Sequence, residues 1–296
     1  MRWAEITVKV KPPGAEAVAD LLIEEGSRGA ATARPSEYFE GEVRVSGYLP
    51  VDDLLEGKLL TLKERVGKLK GYFDLDIGSL EITIRTVEET DWAEAWKSYY
   101  KPFAVGKVVI KPSWENYEVK ADQIVVELDP GMAFGTGQHP TTKLCVEALQ
   151  QQISGGEVVA DIGTGSAILA ITAVKLGASK VYAVDADPVA VEVANKNVQC
   201  NGLSDIITVE LGDSLLVLPE AVDLVVMNIL PNVIMDLASE ASSALKSGGL
   251  MISSGIISER ETDVKTKLES VGLETLEVSR DGSWVAILSR KPEGGA

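Results

Sequence analysis

Two short motifs of the sequence place glycines and a carboxylate directly after apolar runs, which is where many enzymes bind a nucleotide-like ligand. The segment DIGTGSA at 161–167 puts Gly163 and Gly165 between an apolar run and a helical one. Glycines at such a junction let the backbone turn sharply and approach a ligand closely. The next apolar run ends at Asp185, 22 positions beyond Gly163. A carboxylate at that spacing can accept hydrogen bonds from both hydroxyls of a ribose.

Further polar residues follow later apolar runs. Asp213, in LGDS, accepts a hydrogen bond from an adenine amine or else caps a helix. Asn228 ends the buried run DLVVMN, where a side-chain amide needs a partner, so it faces the ligand or ties down the next loop. Asp187 precedes Pro188, which is the pattern of a helix N-cap.

The segment 129–142, DPGMAFGTGQHPTT, is glycine-rich and holds the only histidine of the chain. A phosphate-binding loop ends in Gly-Lys-Ser/Thr, whereas here Lys143 follows Thr142, so that class of loop is excluded. A His-Pro pair before a helix is typical of a structural residue, and catalysis by His139 is the alternative.

The elements that must position these residues alternate from Gly156 onward. Continuous apolar strands joined by helices predict a parallel sheet covered on both faces. The last two strands, LETLEVS and WVAILSR, are separated only by RDGS and must pair antiparallel. Seven strands with a terminal antiparallel hairpin predict a methyltransferase sheet. A dinucleotide-binding sheet would usually stay parallel, and its fingerprint requires Gly or Ala where Ile168 stands.

Three segments are expected along the chain. Residues 1–87 show the order β-α-β-β-α-β of a ferredoxin-like α+β unit. Residues 88–120 predict a linker helix, with Trp92, Trp96 and Tyr99 at helical spacing, and a short strand. Residues 121–296 form the α/β methyltransferase domain.

Composition narrows the classes of partner. The 296 residues hold 28 basic and 45 acidic side chains, for a net charge of −17. From Ala121 onward 11 basic stand against 24 acidic residues, so −13 of that charge lies there. Such a field repels nucleic acid and attracts a basic protein. No apolar run of about 18 residues is present, so we expect a cytoplasmic protein without a membrane span.

Few residues suit a metal or a disulfide. With one histidine, a His/Cys metal site is implausible, and we expect no metal. Cys145 and Cys200 each lie in an apolar helical pattern, which predicts that both are small core residues.

Taken together, DIGTGSAILAI, VDADP, NIL and the upstream LDPGMAFGTGQHPTT closely resemble the ribosomal protein L-eleven methyltransferases, the PrmA family. The resemblance covers essentially the whole chain. It implies the class I methyltransferase fold, S-adenosylmethionine as methyl donor and a ferredoxin-like substrate-recognition domain. It also implies methylation of amino groups of one ribosomal protein, at the amino terminus and on lysines, and we expect the enzyme to be a monomer.

The resemblance also implies roles for single residues. Thr142 and Gly163 match positions that contact the donor, Asp185 matches the ribose ligand, and Asn228 matches the polar residue beside the reactive methyl. With Gly165 and Asp213 they form the expected donor site. For the catalytic step we expect the Asn228 side-chain oxygen and the carbonyl of Ile229 to accept hydrogen bonds from the amine.

The sequence departs from the family pattern at two positions, and the resemblance suggests a role for one loop. Ala167 replaces a glycine seen in many relatives, and Gln138 stands where threonine is common. Residues 131–142 are expected to close over the donor as a lid, with the hydroxyl and amide of Thr142 offered to the donor's carboxylate.

Three alternatives remain open at this point. The first is a methyltransferase of the same fold that acts on another protein or a small amine. The second is a non-catalytic module that binds a ribosomal protein and keeps a vestigial pocket, which intact Asp185 and Asn228 disfavour. The third is a nicotinamide-dependent oxidoreductase, which the glycine spacing and the terminal hairpin disfavour.

Overall fold

The computed structural model describes residues 2–27, 30–32, 41–69, 76–88, 101–129 and 137–293. Two compact units divide the chain, Met1–Tyr100 and Lys101–Ala296. The predicted linker helix with Trp92, Trp96 and Tyr99 lies outside the described residues, as does most of the glycine-rich loop, residues 130–136.

The first unit is an antiparallel four-stranded sheet with two helices. Its elements are β1 (Arg2–Val10), α1 (Pro12–Glu24), β2 (Ala30–Thr32), β3 (Val43–Pro50), α2 (Leu55–Leu69) and β4 (Ile82–Glu88). The strand order is β2-β3-β1-β4, and β1 pairs antiparallel with both neighbours. Alternate residues of β1, from Ile6 to Val10, pack with Leu22 of α1 and Leu62 of α2. This burial fixes which face of the sheet the helices cover.

A small sheet opens the second unit. It consists of β5 (Phe103–Val105), β6 (Val108–Lys111) and β7 (Ile124–Glu127). Strands β5 and β6 pair antiparallel, and β6 and β7 pair parallel. The sequence predicted only one short strand in this region, because runs of three or four residues are too short to show a period of two.

The main sheet of the second unit has seven strands. The elements are α3 (Pro140–Gln152), β8 (Val158–Ile162), α4 (Ile168–Leu176), β9 (Lys180–Asp185), α5 (Pro188–Cys200), β10 (Ile207–Leu211), β11 (Val222–Asn228), α6 (Pro231–Ala244), β12 (Leu245–Ile257), α7 (Glu261–Ser270), β13 (Glu274–Asp281) and β14 (Trp284–Arg290). Their order is β10-β9-β8-β11-β12-β14-β13. The first five strands are parallel, and β14 runs antiparallel to β12 and β13. The predicted parallel sheet with a terminal hairpin is confirmed.

The position of the ligand crevice follows from this order. From β8 the chain adds β9 and β10 on one side and later adds β11 and β12 on the other. Buried apolar clusters cover both faces of the sheet. Ligands of such sheets bind beyond the carboxyl ends of the strands, where the strand order reverses. That point lies between the ends of β8 and β11, where Gly163 and Asn228 stand.

Candidate functional site

The turn after β8 is held by Asp185. Gly163 and Gly165 both adopt left-handed backbone angles, with φ of 71° and 55°. The Gly165 amide donates to Oδ2 of Asp185 over 2.8 Å, and the Asp187 amide donates to Oδ1 over 3.0 Å. The carboxylate therefore lies against the glycine turn at the ends of β8 and β9. The structure brings together three of the predicted donor-binding residues.

Two glycines allow the end of β11 to approach its neighbours. A Cβ on Gly163 would overlap the side chain of Ile229, and a Cβ on Gly255 would overlap the Ile229 carbonyl. Gly255, at φ 84°, belongs to β12 and was not among the predicted site residues. The Ile229 amide donates to the carbonyl of Ser254 over 3.2 Å. The peptide that follows Asn228 is thus fixed between β8 and β12.

Asp161 is a buried carboxyl directly below the glycine turn. Its Oδ2 accepts hydrogen bonds from the Thr164 hydroxyl at 2.7 Å and the Ala170 amide at 3.0 Å. Its Oδ1 is buried and has no hydrogen-bond partner among the residues that the structure describes. Burial raises the pKa of Asp161 to about 7, and the nearby charge of Asp185 acts in the same direction. The sequence signal for this residue was its place at the start of DIGTGSA.

Asn228 and Thr142 are joined across 86 positions of sequence. The Asn228 Nδ2 donates to Oγ1 of Thr142 over 3.3 Å. Thr142 lies in the first turn of α3 and is buried, and its amide donates to the carbonyl of His139 over 3.1 Å. The amide is therefore used within the helix start, while the hydroxyl proton remains available to a ligand.

The start of α3 is also fastened to the sheet through Ser254. This fully buried residue of β12 pairs in register with Asn228. Its hydroxyl lies 3.3 Å from the carbonyl of Thr141 and 3.2 Å from that of Val285. One helix start and three strand ends thus meet at the site.

His139 is the N-cap of α3. Its Nδ1 accepts from the Thr141 amide at 3.3 Å, and its ring meets Trp284 edge to face at 4.8 Å between centroids. These contacts confirm the structural interpretation of the His-Pro pair. Asp187 likewise caps α5 by accepting from the Val189 amide at 2.8 Å, as predicted.

Two other positions singled out from the sequence, Asp213 and Ala167, are now located. Asp213 follows β10 at the same edge, but Ser214 caps the next turn by accepting from the Leu216 amide. The cap interpretation of Asp213 is therefore wrong. Ala167 is fully buried and adopts φ 64° at the start of α4, a conformation in which glycine is less strained.

The cysteine prediction was half wrong. Cys145 is fully buried in the core, and burial raises the pKa of its thiol to about 12. Cys200 is exposed, because it ends α5 beyond the face that packs on the sheet. Across the described ranges, no group of three His, Cys, Asp or Glu side chains could hold a metal ion. None of the described helices is long and apolar enough to cross a membrane.

A sheet of this order, with a glycine turn after its first strand and a carboxylate ending its second, defines a class I methyltransferase. The chain matches the family model described as ribosomal protein L11 methyltransferase (PrmA) over residues 2–292. It belongs to that family.

Relatives and solved structures agree with this assignment. A protein of Desulforamulus reducens named ribosomal protein L11 methyltransferase is 44% identical, and the match covers 97% of this chain and 98% of that protein. A protein of Alkaliphilus oremlandii with the same name is 42% identical, and the match covers 98% of this chain and 99% of that protein. A crystal structure of ribosomal protein L11 methylase from Lactobacillus delbrueckii subsp. bulgaricus is 33% identical with a TM-score of 0.62, covering 66% of this chain and all of that one.

Proposed function

We propose that this chain transfers methyl groups from S-adenosylmethionine to the α-amino group and lysine side chains of ribosomal protein L11. The family and the names of its relatives support this substrate. The observation that carries the chemistry is the hydrogen bond from the Asn228 amide to the Thr142 hydroxyl, beside the glycine turn. The acidity of the second unit suits a basic protein rather than a nucleic acid, and we also propose a cytoplasmic monomer.

The polar groups around the turn fit the donor. With the donor bound, Asp185 would accept hydrogen bonds from the ribose hydroxyls, and Asp213, which follows β10 at the same edge of the sheet, would accept one from the adenine amine. The Thr142 hydroxyl can donate to the donor's carboxylate. Below the turn, Oδ1 of buried Asp161 has no hydrogen-bond partner within the part of the chain that the structure describes. When bound, S-adenosylmethionine supplies an electrophilic methyl group on a positively charged sulfur.

Asn228 is suited to orient the attacking amine. Because its Nδ2 is committed to Thr142, its Oδ1 is left as the acceptor, which can take an N–H of the amine. The Ile229 carbonyl offers a second acceptor, and the peptide that precedes Ile229 is held by the hydrogen bond from the Ile229 amide to the Ser254 carbonyl. Two acceptors on the amine hydrogens direct the nitrogen lone pair toward the methyl group. Alignment of this kind accounts for a large part of the catalysis in a direct displacement.

A comparison of turnover with donor affinity tests this role. We expect Asn228→Ala to lower kcat about 100-fold, the loss that follows misplacement of reacting groups, with little change in the Kd of S-adenosylhomocysteine. Thr142→Ser keeps the hydroxyl and should retain most of the activity. Thr142→Val removes it and should weaken donor binding as well as turnover. Equal losses of kcat and donor affinity in Asn228→Ala would make this residue a donor ligand or a structural residue only.

Competition between substrates tests the choice of L11. We expect purified L11 to be methylated and a small amine at equal concentration to remain unmodified. Preferential methylation of the small amine would favour the alternative substrate class on the same fold.

A further inference from the structure

Exposed apolar side chains surround the end of β11, where Asn228 stands. Leu230 is 71% exposed, Val233 is 40% exposed and Ile257 is 39% exposed. Large apolar side chains with this exposure form a binding surface when they are contiguous and lie beside a functional group. The positions of these three side chains relative to one another and to Asn228 therefore decide whether they form a binding surface.

A hydrogen bond and the strand register connect the segments that carry these residues. Leu230 and Val233 flank the first turn of α6 at a spacing of three residues, so they lie on one side of it. Asn232, on the same turn, accepts from Nη2 of Arg260 over 2.9 Å, which ties it to the segment directly after Ile257. Ile257 in turn pairs in register with Trp284 of β14. We call Leu230, Val233, Ile257 and Trp284 the apolar rim.

The apolar rim continues directly from the reacting groups. Leu230 follows Ile229 and is two positions beyond Asn228. Trp284 contacts the ring of His139, which caps the helix that carries Thr142. The apolar rim therefore adjoins Asn228 along the chain and reaches the start of α3 through Trp284.

The charge around the apolar rim selects the kind of polypeptide. Five carboxylates and two arginines lie in the segments around the rim, residues 231–236, 258–263 and 280–284, so the surplus is three negative charges. The carboxylates are Asp236, Glu259, Glu261, Asp263 and Asp281. The arginines are already bound, Arg280 to Glu261 and Arg260 to Asp263. Such a border attracts cationic residues and repels a phosphate backbone.

We propose that the apolar rim is a docking surface for the chain segment next to the target amine in a basic protein substrate. The proposal rests on the proposed function and adds that the second unit itself recognises the substrate. The aliphatic parts of the substrate pack on Leu230, Val233 and Ile257, while its neighbouring lysines or arginines face Glu259 and Asp281. Long basic side chains suit this surface because their stems are apolar and their ends are charged.

The test measures L11 binding to the full-length enzyme loaded with S-adenosylhomocysteine, together with steady-state methylation. We expect Leu230→Ala, and separately the double variant Val233→Ala with Ile257→Ala, to raise the Kd and KM for L11 roughly fivefold or more. Their kcat and their Kd for S-adenosylhomocysteine should stay at the wild-type values. Glu259→Lys should weaken L11 binding at low salt, and the loss should shrink as salt is raised.

Leu276→Ala is the matched control. Leu276 is 42% exposed on β13, toward the end of the terminal hairpin opposite the Asp281–Trp284 pair. It should leave L11 binding unchanged. Equal Kd values for L11 in the rim variants, Leu276→Ala and wild type would overturn the docking surface while methylation by wild type upholds the proposed function. Rim variants that change only the enzyme's own sedimentation would assign the surface to a second copy and also overturn the proposal. Failure of wild type to bind or methylate L11 would refute both.

Discussion

Replacement of Asp161 by asparagine tests the electrostatics below the glycine turn. The amide keeps an acceptor for the Thr164 hydroxyl and the Ala170 amide, but it has no proton to lose. In the unfolded chain an Asp carboxyl titrates near pH 3.9, whereas burial raises the pKa of Asp161 to about 7 in the folded protein. Because the folded pKa is the higher one, the native state retains the proton between these values.

The sign and size of the effect follow from this gap. The stability that protonation contributes is fully present below the unfolded pKa and is lost as the pH rises through the folded pKa. A gap of about three pKa units corresponds to about 4 kcal/mol of unfolding free energy. The wild-type protein loses roughly 3 kcal/mol of this between pH 5 and pH 8. Over that range Asp161→Asn should gain roughly 3 kcal/mol in unfolding free energy relative to wild type.

Urea denaturation read by pulsed hydrogen exchange provides the assay, since peptides from β8 and β11 report on the second unit alone. Asp223→Asn is the control. The pKa of Asp223 lies below its ordinary value because hydrogen bonds from Lys246 and the Val158 amide outweigh the opposing effect of burial. Its stabilisation is lost only as the pH falls below about 4, so this variant should keep a constant offset from pH 5 to pH 8. Parallel pH profiles for Asp161→Asn and wild type would show that Asp161 does not retain a proton in the folded protein between pH 5 and pH 7.

Three further predictions concern the second unit. Gly163→Ala should lower the unfolding free energy by at least about 2 kcal/mol more than Gly202→Ala, because both glycines have positive φ but only Gly163 lacks room for a Cβ. Urea denaturation measures this difference, and equal losses of unfolding free energy in the two variants would contradict the prediction. Asp185→Asn should weaken S-adenosylhomocysteine binding in calorimetry by roughly tenfold or more, since an amide nitrogen would face a backbone N–H; an unchanged Kd would count against this. A thiol reagent followed by mass spectrometry should label exposed Cys200 and leave Cys145 unmodified in the folded protein, and labelling of both would be inconsistent with the core.

The sequence predicted those features that local pattern determines. The strands of the main sheet and its terminal hairpin were predicted because continuous apolar runs and the four-residue turn RDGS leave few alternatives. The start of α2 at Leu55 is not visible in the apolar pattern, because it depends on a turn in which the Asp52 carboxylate accepts from the Leu54 amide. The burial of Cys200 was overestimated because this residue lies off the face of α5 that Ala194, Asn197 and Val198 bury.

The missing parts of the site depend on contacts between distant segments. The hydrogen bond between Asn228 and Thr142 joins residues 86 positions apart, and no local pattern indicates it. The need for glycine at 255 is visible only once the Ile229 carbonyl lies against it. The conformation of Ala167 is likewise a tertiary effect, since alanine has no intrinsic preference for positive φ.

Methylation of the amino groups of ribosomal protein L11 is the proposed activity on which the roles of Asn228 and the apolar rim depend. The most direct measurement is the intact mass of purified L11 after incubation with the enzyme and S-adenosylmethionine. We expect a ladder of masses separated by one methyl group each, which should form about 100-fold more slowly with Asn228→Ala. An unchanged L11 mass, measured with an enzyme that binds S-adenosylhomocysteine in calorimetry, would contradict the claim.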